Sequence, residues 1–285
     1  MERVVREAGV NIQGTLLSKS VQLVAFADDI DIMGRGAREV KEAFVALEKS
    51  ASRAGLVISE EKTKYMVVTR GSRRIRQNIT LGNYNLEVVD SFVYLGTRVN
   101  VRNDAMEDLE ARILAGNRAY YSLSSFLNSK LISKSTKLKA YTTLIRPAVL
   151  YGSETWALTT AAENKLNCFE RRILRRICGP HREEGGYYRR RMNHELQQMF
   201  GKPSIVNIYK ANRMRWVGHL ERMNDSRAAK TIYQGSMEGK RLPGRPKGRW
   251  KDAVVGDLRK VKADIRDAQN RGKWRNICLA VQSLN

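Results

Sequence analysis

Two adjacent carboxylates, Asp28 and Asp29, interrupt an apolar run, V-Q-L-V-A-F-A-D-D-I-D-I-M, at residues 21–33. Aspartate oxygens are hard donors suited to Mg2+, an ion usually held by one or two carboxylates together with substrate phosphates. Two such ions about 3.5–4 Å apart can clamp the attacking and leaving oxygens of an in-line displacement. Neighbours in a regular strand point to opposite faces, so this pair converges on a cation only at a tight turn. An acidic turn without a ligand is the other reading that the pair alone leaves open. A second chemical resource is guanidinium. Arg171, Arg172, Arg175 and Arg176 fall in F-E-R-R-I-L-R-R-I-C-G-P (169–180), and Arg241, Arg245, Lys247 and Arg249 in G-K-R-L-P-G-R-P-K-G-R-W (239–250). On a helix Arg172 and Arg176, and likewise Arg171 and Arg175, lie one turn apart. With Ile173, Leu174 and Ile177 turned inward, a basic stripe toward phosphates results, a merely solvated face being the alternative.

These groups need elements to position them. Residues 21–33 read as two short strands meeting at the aspartate pair, with Gly34 and Gly36 breaking the run. Val40, Phe44, Leu47 and Ala51 recur at helical spacing, and Gly55 ends that helix. A short strand is expected around Leu56–Ile58 and a stronger one at Tyr65–Thr69, followed by the basic loop R-G-S-R-R-I-R (70–76). Residues 81–89 suggest a hairpin and 91–99 a further strand pair. Short connections favour antiparallel pairing throughout this half.

From Asp104 the pattern turns helical, with Met106, Leu109, Ile113, Leu114, Tyr120, Leu123 and Leu127 on one stripe. A helix from about Ser135 to Ile145 is predicted to stop at Pro147. Thr160-x-x-Glu163 has the form of a capping box opening the helix that Gly179-Pro180 closes. The aromatics of Y-G-S-E-T-W (151–156) read as packing residues. Ile205, Ile208, Tyr209, Trp216 and Leu220 fit one further helix. Trp250, Val254, Leu258 and Val261 fit a second, and Trp274, Ile277, Cys278 and Val281 a third. The predicted class is α+β, divided as 1–103, 104–180 and 181–285.

The chain has 285 residues, 42% hydrophobic and 28% charged, which is globular and not a disordered polyelectrolyte. Its net charge is +23. Residues 1–170 carry 24 Lys and Arg against 19 Asp and Glu, whereas residues 171–285 carry 28 against 10. The positive excess therefore belongs to the C-terminal part and favours a polyanionic partner, nucleic acid above all. Cys168, Cys178 and Cys278 form no disulfide framework and point to a reducing compartment. No C-x-x-C pair joins them with His181 and His194 into a zinc site, and they read as buried or half-buried helical thiols. No apolar stretch approaches the ~20 residues of a membrane span, and M-E-R-V-V-R-E-A-G-V has no signal-peptide core. An intracellular address is expected, nuclear rather than cytoplasmic, with no membrane partner.

The order F-A-D-D, A-G-L-V-I-S-E-E-K-T-K (54–64) and F-V-Y-L-G-T-R-V (92–99) resembles the reverse transcriptases of non-LTR (LINE-type) retrotransposons. The resemblance continues through P-A-V-L-Y-G-S-E-T-W (147–156), residues 169–180, R-W-V-G-H-L-E-R-M (215–223) and G-R-P-K-G-R-W-K-D (244–252), covering nearly the whole chain. It implies a partial reverse-transcriptase palm followed by a helical thumb and a basic helical extension. It further implies RNA-directed DNA polymerase (nucleotidyltransferase) ancestry, Mg2+ as cofactor, and an RNA template and DNA primer or target as partners. Asp28 would be the main Mg2+ ligand and Asp29 its less essential partner. Lys62 would neutralise or protonate departing pyrophosphate, an exposed lysine after two glutamates being the alternative. Tyr94, Leu95 and Gly96 would form the primer-grip strand, although a plain hairpin explains them equally.

One departure from the family matters. Its polymerases use a further aspartate and a Gly-Asp-Pro segment upstream of F-A-D-D, whereas 27 residues precede Asp28 here and none is aspartate. The expectation is that this chain alone does not polymerise DNA and binds Mg2+ weakly or not at all. A non-enzymatic nucleic-acid-binding protein derived from a retroelement is the competing reading. R-L-P-G-R-P-K-G-R (241–249) also resembles an A·T-hook, the core of which lies in a narrow minor groove. Pro243 stands where the hook usually has arginine, and a plain phosphate-contacting loop is the other reading.

Overall fold

The computed structural model describes residues 2–10, 23–68, 77–235 and 248–284, which divide into two compact units. The first comprises residues up to Val93, Asn100–Asn103 and a segment from Asn224. It opens with α1 (Glu2–Glu7) and the antiparallel hairpin β1 (Leu23–Phe26) and β2 (Asp29–Ile32). Helix α2 (Ala37–Arg53) divides its apolar face between two small cores. Leu47 and Ala51 pack with Val4, while Phe44 packs with Leu81 and Leu86. The Ser50 hydroxyl ties α2 to α1 by donating to Val4 O at 2.8 Å.

Three strands follow, β3 (Lys64–Tyr65), β4 (Ile79–Leu81) and β5 (Tyr84–Val88), in the order β3-β5-β4. β4 and β5 form the expected antiparallel hairpin, but β3 pairs with β5 in parallel, Lys64 opposite Glu87. All-antiparallel pairing is thus corrected: the connection from β3 to β5 carries β4 within it, long enough for a parallel return. Residues 56–58 form no strand, and β3 is confined to two residues. The strand pair expected in 91–99 is present as β6 (Ser91–Tyr94) and β7 (Thr97–Asn100), and the boundary between units falls within it. A short helix, α10 (Ala228–Gln234), also belongs to the first unit.

The second unit is helical: α3 (Met106–Ser122), α4 (Ser124–Asn128), α5 (Lys134–Ala140), α6 (Arg146–Leu150), α7 (Thr160–Cys178), α8 (Asn193–Phe200), α9 (Ile205–Glu221), α11 (Trp250–Lys260) and α12 (Arg271–Gln282). A small hairpin, β8 (His181–Arg182) and β9 (Tyr188–Arg189), leads from α7 to α8. One core runs from Leu109 through Trp156, Leu166 and Ile173 to Phe200 and Tyr209. The domain boundary expected at 180 falls inside that core.

Pro147 does not stop the preceding helix. Residues Tyr141–Ile145 form a π-helical turn in which the Arg146 N–H bonds to Tyr141 O, and α6 follows directly with Pro147 as its second residue. The wider turn admits a residue that lacks the N–H an α-helix would need. The cap of α7 is also displaced by one residue. Thr159, not Thr160, accepts from the Ala162 N–H at 3.3 Å. Glu163 instead accepts from the Tyr209 hydroxyl (2.6 Å) and from Lys210 Nζ (2.9 Å) on α9. Of the cysteines, Cys178 and Cys278 are buried as expected; Cys168 is exposed, because it lies off the apolar stripe formed by Leu166, Phe169 and Ile173.

A second core joins α9, α11 and α12 through Met214, Val217, Val254, Leu258, Trp274, Cys278 and Val281. Its closest approach is at Gly218, where a Cβ would meet Trp274 Nε1 at 2.2 Å. That indole N–H donates to Met214 O at 2.8 Å, so the ring cannot withdraw without leaving a buried donor unpaired. Gly218→Ala is therefore expected to destabilise this unit by about 1–3 kcal/mol. A urea denaturation midpoint unchanged from the parent would contradict that packing.

Candidate nucleic-acid interface

The aspartate pair sits where the hairpin turns. Phe26 pairs with Asp29, leaving Ala27 and Asp28 as the two-residue loop, with Ala27 at φ 55°. Asp28 and Asp29 are both exposed. Asp31, which the sequence reading did not single out, lies two residues along β2 opposite Val24. Partial burial raises its carboxyl above the usual carboxylate range. No group of three metal-ligating side chains converges among the described residues. Asp28 thus lies in the two-residue loop and Asp29 at the first position of β2. Lys62 is exposed, and among the described residues no bond links it to Asp28 or Asp29.

Tyr94, Leu95 and Gly96 lie at the β6–β7 turn, where Leu95 (φ 47°) and Gly96 (φ 79°) are both left-handed. That geometry matches a tight hairpin turn and strains the non-glycine residue. Side chains from the helices hold the turn by its carbonyls. The Tyr151 hydroxyl donates to Leu95 O (3.2 Å) and Arg112 donates to Gly96 O. The Arg112 guanidinium stacks over Tyr151, 4.5 Å from the ring centroid. Beneath them the buried Asp108 accepts from the Arg98 N–H (2.9 Å) and Trp156 Nε1 (2.8 Å). Asp108, Arg112 and Tyr151 were not legible as a group, since the turn they hold is remote from them in sequence.

The four arginines of α7 share a stricter pattern. Arg172 donates to the Asn117 side-chain oxygen on α3, and Arg176 to Asn128 on α4 at 2.7 Å. Arg175 donates to Asn193 Oδ1 at 2.6 Å and to Arg191 O at 3.3 Å. Arg171 donates to Asn167 O at 3.0 Å within its own helix. Every acceptor is neutral, and among the described residues none of the four is paired with a carboxylate. Burial, with the fields of Arg190 and Arg171, lowers the Arg175 pKa. Among the described residues the Arg191 side chain likewise meets only Gly179 O (3.0 Å) and His181 Nδ1 (3.3 Å).

Arg189 nearby shows the contrast. It is bound by Glu183 and, through two bonds, by Glu195, whose carboxyl this guanidinium holds down at about 2. The surface around α7 thus keeps its positive charge while its guanidinium groups are fixed by amides. The three asparagines were missed in the sequence because they come from three different helices.

Of the basic loop, Arg241, Arg245 and Lys247 lie outside the described residues, as does the whole of 70–76. Arg249 is described: it is exposed and occupies the N-cap of α11. Among the described residues no helix is long and apolar enough to cross a membrane.

This chain resembles a transposon-derived protein. Over 247 residues it is 25% identical to an uncharacterized transposon-derived protein of Caenorhabditis elegans, covering 84% of this chain and 86% of that protein. No protein-family model matches the chain. The likeness is consistent with a retroelement origin and spans both compact units.

Proposed function

We propose that the chain is a descendant of a non-LTR reverse transcriptase whose own activity is non-specific binding of nucleic acid. The observation that carries this reading is the row of α7 guanidinium groups, rigidly held by neutral acceptors and uncompensated by carboxylates. Such groups offer phosphates a preformed lattice of charge-assisted donors without having to break an existing ion pair. Contacts of this kind go to the phosphate backbone, so affinity should depend on backbone charge and little on sequence.

The reading is tested by fluorescence anisotropy with labelled RNA, single-stranded DNA and duplex DNA across a salt series. Binding is expected to all three, with log affinity falling linearly as log salt rises. Saturable binding insensitive to salt would remove the proposal. The polymerase ancestry is read from the F-A-D-D hairpin, and Asp28 and Asp29 support it by standing together at the turn. Primer extension on an RNA template with Mg2+ is expected to yield no product. Robust extension abolished by Asp28→Ala would make the chain an enzyme and overturn that expectation.

A further inference from the structure

A second concentration of guanidinium groups lies away from α7, between α9 and α12. Arg215 on α9 and Arg222, which caps its C-terminus two turns on, line one cleft with Arg271 and Arg275, one turn apart on α12. They rim an open cleft of about 450 Å3 floored by Trp274, Cys278 and Leu279. The floor is rigid, since Trp274 is fixed against Gly218 and bonded to Met214 O. Arg215 is steadied by Asn212 Oδ1 (2.7 Å) and Arg222 by Ala268 O (2.6 Å), again neutral acceptors. Arg271 and Arg275 make no hydrogen bond or ion pair among the described residues, and both are exposed. The neighbouring carboxylates are engaged elsewhere, Asp264 with Arg266 and Asp267 with Lys273.

Four like charges around one cleft repel each other and are costly to assemble without a counter-charge. Among the described residues none of the four forms an ion pair with a carboxylate. The charge exceeds what one phosphodiester would balance, and the volume is that of a small-ligand site and not of a long groove. We infer that this cleft binds the phosphate chain of a nucleotide, free or at the 5′ end of a strand, with Arg215, Arg222, Arg271 and Arg275 as its ligands. The assignment of a strand end rests on the nucleic-acid reading above; the anion site itself does not.

The test uses the full chain with three probes: inorganic pyrophosphate, a short 5′-triphosphorylated RNA, and the same RNA ending in a 5′-hydroxyl. Calorimetry is run on the parent, on Arg271→Gln/Arg275→Gln, and on the charge-matched Arg172→Gln/Arg176→Gln. Because the Arg271 and Arg275 side chains form no hydrogen bond or ion pair among the described residues, their replacement should leave the thermal midpoint unchanged, which is checked first. Pyrophosphate affinity is expected to fall about tenfold or more in the cleft variant and less than about threefold in the α7 variant.

Tighter binding of triphosphorylated than 5′-hydroxyl RNA, lost only in the cleft variant, would assign a strand end. Pyrophosphate binding without that difference would assign a free nucleotide. No pyrophosphate binding by the parent, or equal losses in both variants, would overturn the site. A chain that binds pyrophosphate here but binds no RNA would retain the cleft and remove the general nucleic-acid reading.

Discussion

Asp257→Ala is expected to destabilise the helical unit by about 3–5 kcal/mol, enough to unfold it if its total stability is ordinary. Asp257 on α11 is 3% exposed and pairs with Arg213 on α9, itself 2% exposed. Arg213 also donates to Trp156 O at 3.0 Å and stands 5.3 Å from the Tyr209 ring centroid, while its Nε has no partner. Removing the carboxylate strands a guanidinium that already has one orphaned donor and no route to water. The cost arises from the abandoned charge, not from the net value of the pair. Asp257→Leu combined with Arg213→Met should therefore recover much of the loss. Urea denaturation of the two single variants and the double variant checks this, and equal losses for all three would show that packing volume, not charge, is what counts.

The Arg172→Gln/Arg176→Gln variant is expected to lose roughly a hundredfold in nucleic-acid affinity near 0.1 M salt. Its plot of log affinity against log salt should become shallower by about one unit per arginine removed. Glutamine can still donate to Asn117 and Asn128, so the helix face keeps its polar contacts and loses only charge. Anisotropy titrations at several salt concentrations give both quantities. An unchanged slope would mean that phosphates do not reach this face of α7.

Much of the local structure was legible. Short-range chemistry decides tight turns, so the pairs at 81–89 and 91–99 and the aspartate hairpin appear near where turn residues and alternation put them. The Gly179-Pro180 end of α7 is equally local, Gly179 adopting φ 72°. What failed depends on distant partners. The parallel pairing of β3 needs knowledge of where β5 lies, and among the described residues the segment 56–58 pairs with no strand. The division expected at 180 coincides with the Gly179-Pro180 helix end, whereas the apolar core continues through α8 and α9. For the candidate site, the sequence supplied the arginines of α7 and could not supply their asparagine partners. The cleft between α9 and α12 was hidden for the same reason, since α10 and α11 separate its two arginine pairs in sequence.

The π-helical turn before Pro147 carries a consequence for how this segment tolerates change. Tyr141 and Arg146 are five positions apart, which on a regular α-helix would set them about 140° from each other. Here the wide turn brings both to Glu170: Tyr141 donates to Oε1 at 2.7 Å, and Arg146 lies 3.8 Å from that oxygen while donating to Pro203 O. Glu170 in turn accepts the first N–H of α9, from Ile205, at 2.8 Å. Deleting one residue between 141 and 145 would leave Arg146 four positions from Tyr141, about 40° round a regular α-helix and still on the face that meets Glu170. The cost would fall instead on Pro147, whose ring would then meet the carbonyl four residues before it in an unbroken α-helix. The extra residue of the turn thus serves the proline and not the junction with α9, so the deletion should be tolerated only where Pro147 is replaced as well.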